Sequence, residues 1–324
     1  MSHPAAAQPA YTRIVLGEHA VAACFRGTVL ALGNFDGVHR GHAELAREAV
    51  ELGEMMNRRP AVLTFEPHPR SFFRPEDPVF RLTPPEVKAE LLAELGIKLH
   101  FVLPFDRAIA ATSARDFING ILCGQLGAAA IVCGYDFHFG KGRAGSPEML
   151  TEMLEEELKP VIVVPPFQWQ GETVSSSLIR TALGHGDVAR AAEFLGHPWF
   201  VRGEVAHGDK RGRDLGYPTA NLHLPRDCRL KYGIYAVRMK IDGVWRDGVA
   251  SFGSRPTFDD GAPRLETFVF DFSGDLYGKS VDVAFVGFLR GEEKFASLEA
   301  LIVQMDSDSV RARALLAETP PFLP

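Results

Sequence analysis

Residues 33–42 read Gly33-Asn34-Phe35-Asp36-Gly37-Val38-His39-Arg40-Gly41-His42, and their flanks decide the fold of the first half of the chain. Before them, Thr28-Val29-Leu30-Ala31-Leu32 is short, apolar and β-prone. After them, residues 43–56 repeat apolar side chains at helical spacing, with Leu45, Ala49, Leu52 and Met56 on one face. The order is strand, glycine-punctuated turn, helix, and the spacing predicts a helix beginning near His42. Such a junction binds anions, because free backbone N–H groups and the positive end of the helix dipole meet there. Two imidazoles stand at the same place, able to donate hydrogen bonds to phosphate oxygens. Gly41 between them lets a ligand approach the backbone. Taken alone, His-x-x-His is more often a pair of solvated turn side chains. A zinc reading needs a third ligand, and none lies nearby in sequence.

Working outward, 324 residues suit two domains better than one. Hydrophobic content of 46% and charged content of 23% are ordinary for a soluble globular protein. A net charge of −6 argues against nucleic acid as a partner. Cys24, Cys123, Cys133 and Cys228 are scattered, with no Cys-x-x-Cys pair, and read as reduced thiols. The first residues lack a basic region followed by an apolar stretch, and no apolar run approaches the ~18–20 residues of a membrane helix. The expectation is a cytoplasmic protein with no membrane partner.

Residues 1–12 are rich in Ala and Pro and read as frayed. Strands are expected at 28–33, 61–65, 100–103, 129–133 and 161–164. Helices between them open at Thr83-Pro84-Pro85-Glu86, at Ser113, at Ser146-Pro147-Glu148 and at Ser175 or Ser176. The strands are apolar runs rather than alternating ones, which predicts a parallel sheet covered on both faces. In such sheets ligands sit at the carboxyl ends of the strands. Four segments lie there: the His39/His42 turn, the loop 66–73, the loop 134–145 and the turn 174–180. After residue 184 the character changes. β-prone segments at 200–207, 216–223, 233–241, 244–252, 264–272 and 281–289 are followed by a helix over 297–316, which predicts a small closed β-barrel plus a terminal helix. The fold class is therefore α/β, with a Rossmann-like parallel-sheet domain at 1–186 and a barrel domain at 187–324.

The full 33–42 string resembles the HxGH signature of the nucleotidyltransferase superfamily. With Gly-Asn-Phe-Asp-Gly-Val-His before it, the chain is similar to the bacterial bifunctional riboflavin kinase/FAD synthetases. The resemblance implies an adenylyltransferase in which the FMN phosphate attacks the α-phosphate of ATP. His39, His42 and Arg180 would stabilise the charge building on the phosphates, while Gly33, Asn34, Asp36 and Gly41 would position ATP. Phe65-Glu66-Pro67-His68-Pro69-Arg70 is by itself a rigid proline loop; the family places the FMN pocket there, so Pro67, Pro69 and Phe73 become flavin contacts. Residues 134–145 form a glycine-rich basic loop that is no Walker A motif. By itself this is an exposed flexible loop; the resemblance puts Asp136 and Phe139 at the flavin, with His138 where the family often has Arg. Ser175-Ser176-Ser177-Leu178-Ile179-Arg180 is a helix cap that resembles the family segment ISSTxIR, which assigns Ser176 and Ser177 to ATP.

In the second half, Thr219 and Asn221 are two apart, so on a strand they share a face, and their oxygens are hard neutral ligands suited to Mg²⁺. Preceded by residues 208–216, the segment Pro218-Thr219-Ala220-Asn221 looks like the riboflavin kinase signature, which assigns Gly208, Arg213 and Gly216 to ATP. A lone strand carboxylate is ordinarily a surface group. The family's matching Glu is the base for the ribityl 5′-hydroxyl, which assigns that role to Glu266. Residues 271–278 also look like this family. Residues 250–257, with Arg255 toward the flavin, match its Ala-Asn-Ile-Gly-x-Arg-Pro-Thr except that Ser251 stands where Asn is common. Implied substrates are riboflavin, FMN and ATP, with Mg²⁺ as cofactor. Two alternatives stay open at this point: one domain degenerate and serving as a flavin-binding module, or a nucleotidyltransferase with another phosphorylated acceptor.

Overall fold

The computed structural model describes residues 11–17, 19, 21–207, 217–254 and 263–320. They divide into two compact units. The first comprises Met1–Val79 with Pro85–Val174, and the second Phe80–Pro84 with Ser175–Pro324. The division thus falls at 174/175 rather than at 186/187. The reason is local: the helix opening at Ser176 packs on the next helix, and Arg180 Nε donates to the Phe80 carbonyl at 2.6 Å.

The first unit is built on six strands: β1 (Thr12–Val15), β2 (Val29–Leu32), β3 (Pro60–Glu66), β4 (Leu99–Pro104), β5 (Ala130–Gly134) and β6 (Val161–Val164). All pair in parallel, in the order β1-β4-β3-β2-β5-β6. Five are the expected ones. The sixth, β1, lies at the edge and pairs Thr12 with Leu99 where the sequence suggested a frayed end. Its Thr-Arg-Ile-Val alternates half-buried and exposed side chains, and that is why it does not read as an apolar run. Helices α1 (Arg40–Met56), α2 (Pro69–Phe73), α3 (Pro85–Glu94), α4 (Arg107–Ala111), α5 (Ala114–Asp116) and α6 (Pro147–Glu155) follow in chain order, with a π-helical stretch, Phe117–Gln125, after α5. Apolar residues cover both faces. Leu30, Leu63, Phe101, Ile118 and Leu150 share one core, and Val29, Ala31, Ala49, Val62 and Leu92 the other. The strand order reverses between β2 and β5. This is the switch point at which doubly wound sheets open a ligand crevice, and the 33–42 turn leaves β2 there.

The second unit opens with α7 (Ser176–His185) and α8 (Val188–Leu195). Six antiparallel strands follow: β9 (Phe200–Glu204), β10 (Thr219–His223), β11 (Gly233–Ile241), β12 (Val244–Ser254), β13 (Pro263–Val269) and β14 (Ser280–Arg290), in the order β10-β13-β12-β11-β14-β9. Among the described residues the two edges meet at one bridge, where the Ala206 N–H donates to the Asn221 carbonyl at 2.9 Å, so the barrel is nearly closed. (β7 and β8, Gln168–Trp169 and Glu172–Thr173, form a small hairpin in the first unit.) Tyr235, Phe252, Phe285, Leu222 and Leu265 fill the barrel. The terminal helix α9 (Leu298–Glu318) lies on its outside, setting Ala312 and Leu316 against Ala236, Phe270 and Val286. Arg238 holds the end of α9 by donating to the Leu316, Thr319 and Pro320 carbonyls.

Candidate active sites

The turn after β2 is bent through unusual backbone. Phe35 (φ 49°) and Val38 (φ 44°) both adopt positive φ, which is costly for a β-branched side chain. Burial of both in the core holds the turn in place. The helix then begins earlier than expected. His39 is its N-cap, with φ −70° and ψ 172°, and its Nδ1 accepts the His42 backbone N–H at 3.3 Å. Because Nδ1 is an acceptor, the ring proton of neutral His39 sits on Nε2. The two imidazoles stack, with centroids 3.6 Å apart and planes 17° from parallel, and Phe35 lies 5.0 Å from the His42 ring. His42 is held well below the ordinary histidine range by burial first, then by His39 and by Lys88. The His42 ring is therefore uncharged near neutral pH.

Gly41 has a second reason to be glycine. A Cβ there would come within 3.3 Å of the His39 ring and 3.6 Å of Phe167 Cβ. Gly33 corrects an expectation: its N–H donates to Leu63 O at 3.2 Å, so that amide belongs to the sheet and not to a phosphate. Asp36 is buried within the turn. Asn34 makes two contacts. The Lys88 ammonium donates to its carbonyl at 2.8 Å, and its carboxamide nitrogen position lies 3.4 Å from His68 Nε2. His68 Nδ1 accepts the Arg70 N–H at 3.1 Å, which leaves its proton on Nε2. We therefore assign the Asn34 amide with its oxygen toward His68, which gives that otherwise unpartnered oxygen a donor.

The expected loop 66–73 is partly helical, since Pro69 starts α2 with His68 as its cap. Phe73 is 62% exposed and packs edge-on against Phe72 and Phe105, so an open aromatic face stands at the carboxyl edge of the sheet. The basic loop is pinned rather than flexible. Phe139 and Gly145 exchange backbone hydrogen bonds, and Gly140 (φ 72°) sits where a Cβ would lie 2.6 Å from the Ala114 nitrogen. Asp136 is exposed there. Phe139 departs from its expected role: it is 5% exposed and packs on Phe117 and Phe137, with Gly145 clearing room for its ring. It is a core side chain. At α7, Ser175 is the cap, its Oγ accepting the Leu178 N–H at 3.2 Å. Ser176, Ser177 and Arg180 lie on the helix it starts, in the second unit.

In the barrel, strand register does the assembling. Asn221 of β10 pairs with Glu266 of β13, and Glu266 pairs with Ser251 of β12. Directly opposed residues share a face, so a carboxamide, a carboxylate and a hydroxyl form one row across three strands. Their neighbours Leu222, Leu265, Thr267, Ala250 and Phe252 fill the interior, which places the row on the outer face. Thr219 follows on that face, opposite Phe268. Asn221 Nδ2 donates to the Thr219 carbonyl at 3.2 Å, leaving Oδ1 as the atom suited to a cation. Two hard oxygen donors beside a carboxylate fit Mg²⁺. The sequence did not indicate Tyr217, whose hydroxyl bonds Asp306 of α9 and whose ring packs edge-on against Phe268. Gly208, Arg213, Gly216 and Arg255 lie outside the described residues.

Two family models match the chain: FAD synthetase over residues 21–178 and riboflavin kinase over 195–316. Proteins described as bifunctional riboflavin kinase/FMN adenylyltransferase are similar to nearly all of it. The one from Pseudomonas fluorescens is 40% identical over 310 residues, covering 94% of this chain and 98% of its own. The one from Escherichia coli K12 is 37% identical, covering 91% and 95%. A solved structure from Streptococcus pneumoniae, described as a macrolide-efflux protein, superposes with a TM-score of 0.84 at 32% identity, covering 93% of this chain and 98% of that one. Among the described residues no helix is long and apolar enough to cross a membrane.

Proposed function

This chain belongs to the bifunctional riboflavin kinase/FMN adenylyltransferase family, and from that premise we propose how its two units divide the work. The barrel phosphorylates riboflavin with ATP, giving FMN and ADP. The parallel-sheet unit transfers the AMP moiety of ATP to FMN, giving FAD and pyrophosphate.

In adenylyl transfer an FMN phosphate oxygen forms a bond to the α-phosphorus of ATP, and the bond to the bridging oxygen of pyrophosphate breaks. No covalent enzyme intermediate is needed. The work left to the protein is positioning and stabilising charge. The stacked His39 and His42 rings at the start of α1 supply it as hydrogen-bond donors, with the His39 Nε2–H as the first. The observation that carries this reading is that pair, capped at a helix N-terminus at the switch point of the sheet. Pro67, Pro69 and Phe73 are assigned to the flavin on the resemblance and on the exposed Phe73 face. Asp136 is assigned to the flavin, and Ser176, Ser177 and Arg180 to ATP, on the resemblance alone.

In the kinase reaction the ribityl 5′-oxygen forms a bond to the γ-phosphorus and ADP leaves. Glu266 accepts the hydroxyl proton and orients that oxygen. Thr219 Oγ1 and Asn221 Oδ1 would hold Mg²⁺, which when bound neutralises phosphate charge. As neutral ligands they leave the cation's full charge for the nucleotide.

The test is to incubate the purified protein with riboflavin, ATP and Mg²⁺ and to separate the flavins over time. FMN is expected first and FAD after it, with pyrophosphate in step with FAD. Failure to form FMN from riboflavin, or FAD from supplied FMN, would show that the corresponding unit has lost its chemistry.

A further inference from the structure

Lys88 sits on α3, a helix whose buried face also carries Val87 and Leu92. A lysine that is only 8% exposed needs a reason, because burying an ammonium is costly unless it is hydrogen-bonded and its charge is used. Its Nζ donates to the Asn34 carbonyl at 2.8 Å. That carbonyl immediately precedes Phe35, the first of the two residues driven to positive φ. Strained backbone persists only where its surroundings over-determine it. Core packing of Phe35 and Val38 supplies one constraint, and the charge-assisted bond from Lys88 supplies a polar one.

We propose that Lys88 is a positioning residue for adenylyl transfer: reaching across from α3, it pins the strained turn that presents His39 and His42. The inference rests on the adenylyl-transfer reading above. Lys88 acts through the Asn34 carbonyl and through its charge.

The charge has a direction. The titratable groups acting on His42 are His39 on its own turn and Lys88 on α3, and both disfavour its protonation. Asp36 is buried in the same turn, and Arg40 stacks over Trp169 of the β7–β8 hairpin at 4.3 Å. Lys88 thus contributes, from another helix, positive charge that disfavours protonation of His42. Removing it relaxes the turn and makes His42 easier to protonate.

The experiment is Lys88→Met in the full chain, with both activities measured on one preparation and the His42 ring titrated by NMR in ¹⁵N-histidine-labelled protein, assigned by difference from His42→Gln. FMN formation by the barrel serves as the folding control. Loss of one charge-assisted bond at a positioned turn predicts a fall in kcat for FAD formation of about tenfold or more. FMN formation should stay within about twofold, an effect under ~0.5 kcal/mol by the same conversion. The His42 midpoint should rise toward the ordinary value near 6.5. Support requires both the selective kcat loss and the upward midpoint; absence of either overturns the proposal. Should Lys88→Met not accumulate folded, Lys88→Gln, which keeps a donor but drops the charge, must still raise the midpoint, and an unmoved midpoint overturns the proposal equally. Wild-type protein that forms no FAD would instead refute the adenylyl-transfer reading itself.

Discussion

His39 does two things at once, and substitution separates them. As the N-cap of a 17-residue helix it accepts the His42 N–H. As an imidazole, on the adenylyl-transfer reading proposed above, it offers an Nε2–H to phosphate. His39→Ala removes both. Loss of a cap costs about 1 kcal/mol, which lowers the melting temperature by roughly 2–4 °C for a unit of this size. His39→Asn removes only the imidazole, because Asn is among the best cap residues and the backbone already has the extended conformation a cap needs. Its stability is therefore expected within a few tenths of a kcal/mol of wild type, about the scatter among good caps. Loss of one preorganised donor to a developing oxyanion costs about 10²–10³ in kcat. Both variants are thus expected to lose FAD formation by that factor, while only Ala loses stability. The assay is FAD formation from FMN and ATP, beside thermal unfolding followed by circular dichroism, with FMN formation from riboflavin as the control. The informative variant is His39→Asn. If it forms FAD at close to the wild-type rate, His39 is a cap and nothing more, and the chemical role assigned to the stacked pair is wrong.

Glu266→Gln keeps the shape of the row across β10, β13 and β12 but loses the base; FMN formation should fall by about 10²–10⁴ while FAD formation from supplied FMN continues, and unchanged phosphorylation would remove Glu266 as base. Asn221→Ala deletes one cation ligand, so the Mg²⁺ concentration giving half-maximal FMN formation should rise by about tenfold or more; an unshifted Mg²⁺ dependence would exclude the ligand role. His100 is buried against Thr64 Oγ1 at 2.8 Å and held down to about 3, by burial first and then by Lys88 and Arg13. Its folded value lies below the unfolded one near 6.5, so the unfolded chain takes up a proton the native ring refuses. Stability is then intact above pH 6.5 and declines toward pH 3, by at most about 1.4 kcal/mol per pH unit from this ring. Urea unfolding of wild type and His100→Gln between pH 7 and 4 should show a shallower acid decline in the variant, and identical slopes would refute this.

Much of this was legible because the relevant signals are local. Val29 to Leu32 is wholly buried and reads as an apolar run, and Leu45 and Ala49 of α1 repeat at helical spacing and face the core. Other features were illegible because their cause is tertiary. The four residues of β1 become a strand only by pairing with β4. Histidine is not a usual cap, so the sequence placed the start of α1 at His42, whereas the His39 ring turns back to accept the third helical N–H. Phe139 sits in a glycine-rich loop and suggests a ligand contact, but Gly145 leaves a space that its ring fills. Lys88 looks like an ordinary polar position on a helix; nothing in its neighbours in sequence shows that it reaches Asn34.

The same distinction separates the two chemistries. In the parallel-sheet unit the groups come from one short turn, so the motif was readable from sequence. The protonation of His42, by contrast, is set by burial and by charge that includes Lys88 of another helix. In the barrel the groups come from strands far apart in sequence, and only register makes them neighbours. Register also gives meaning to the departure from the family pattern at Ser251. Ser251 lies directly opposite Glu266, so the change from a carboxamide to a hydroxyl falls beside the carboxylate proposed as base and not at the residues proposed to hold the cation. A hydroxyl there still donates one hydrogen bond and accepts others, but through a single oxygen, so it does not span two partners as the separate N and O of an amide do. On the proposed kinase reading its consequence should therefore be felt in how the ribityl hydroxyl is oriented, while the Thr219 and Asn221 oxygens are unchanged.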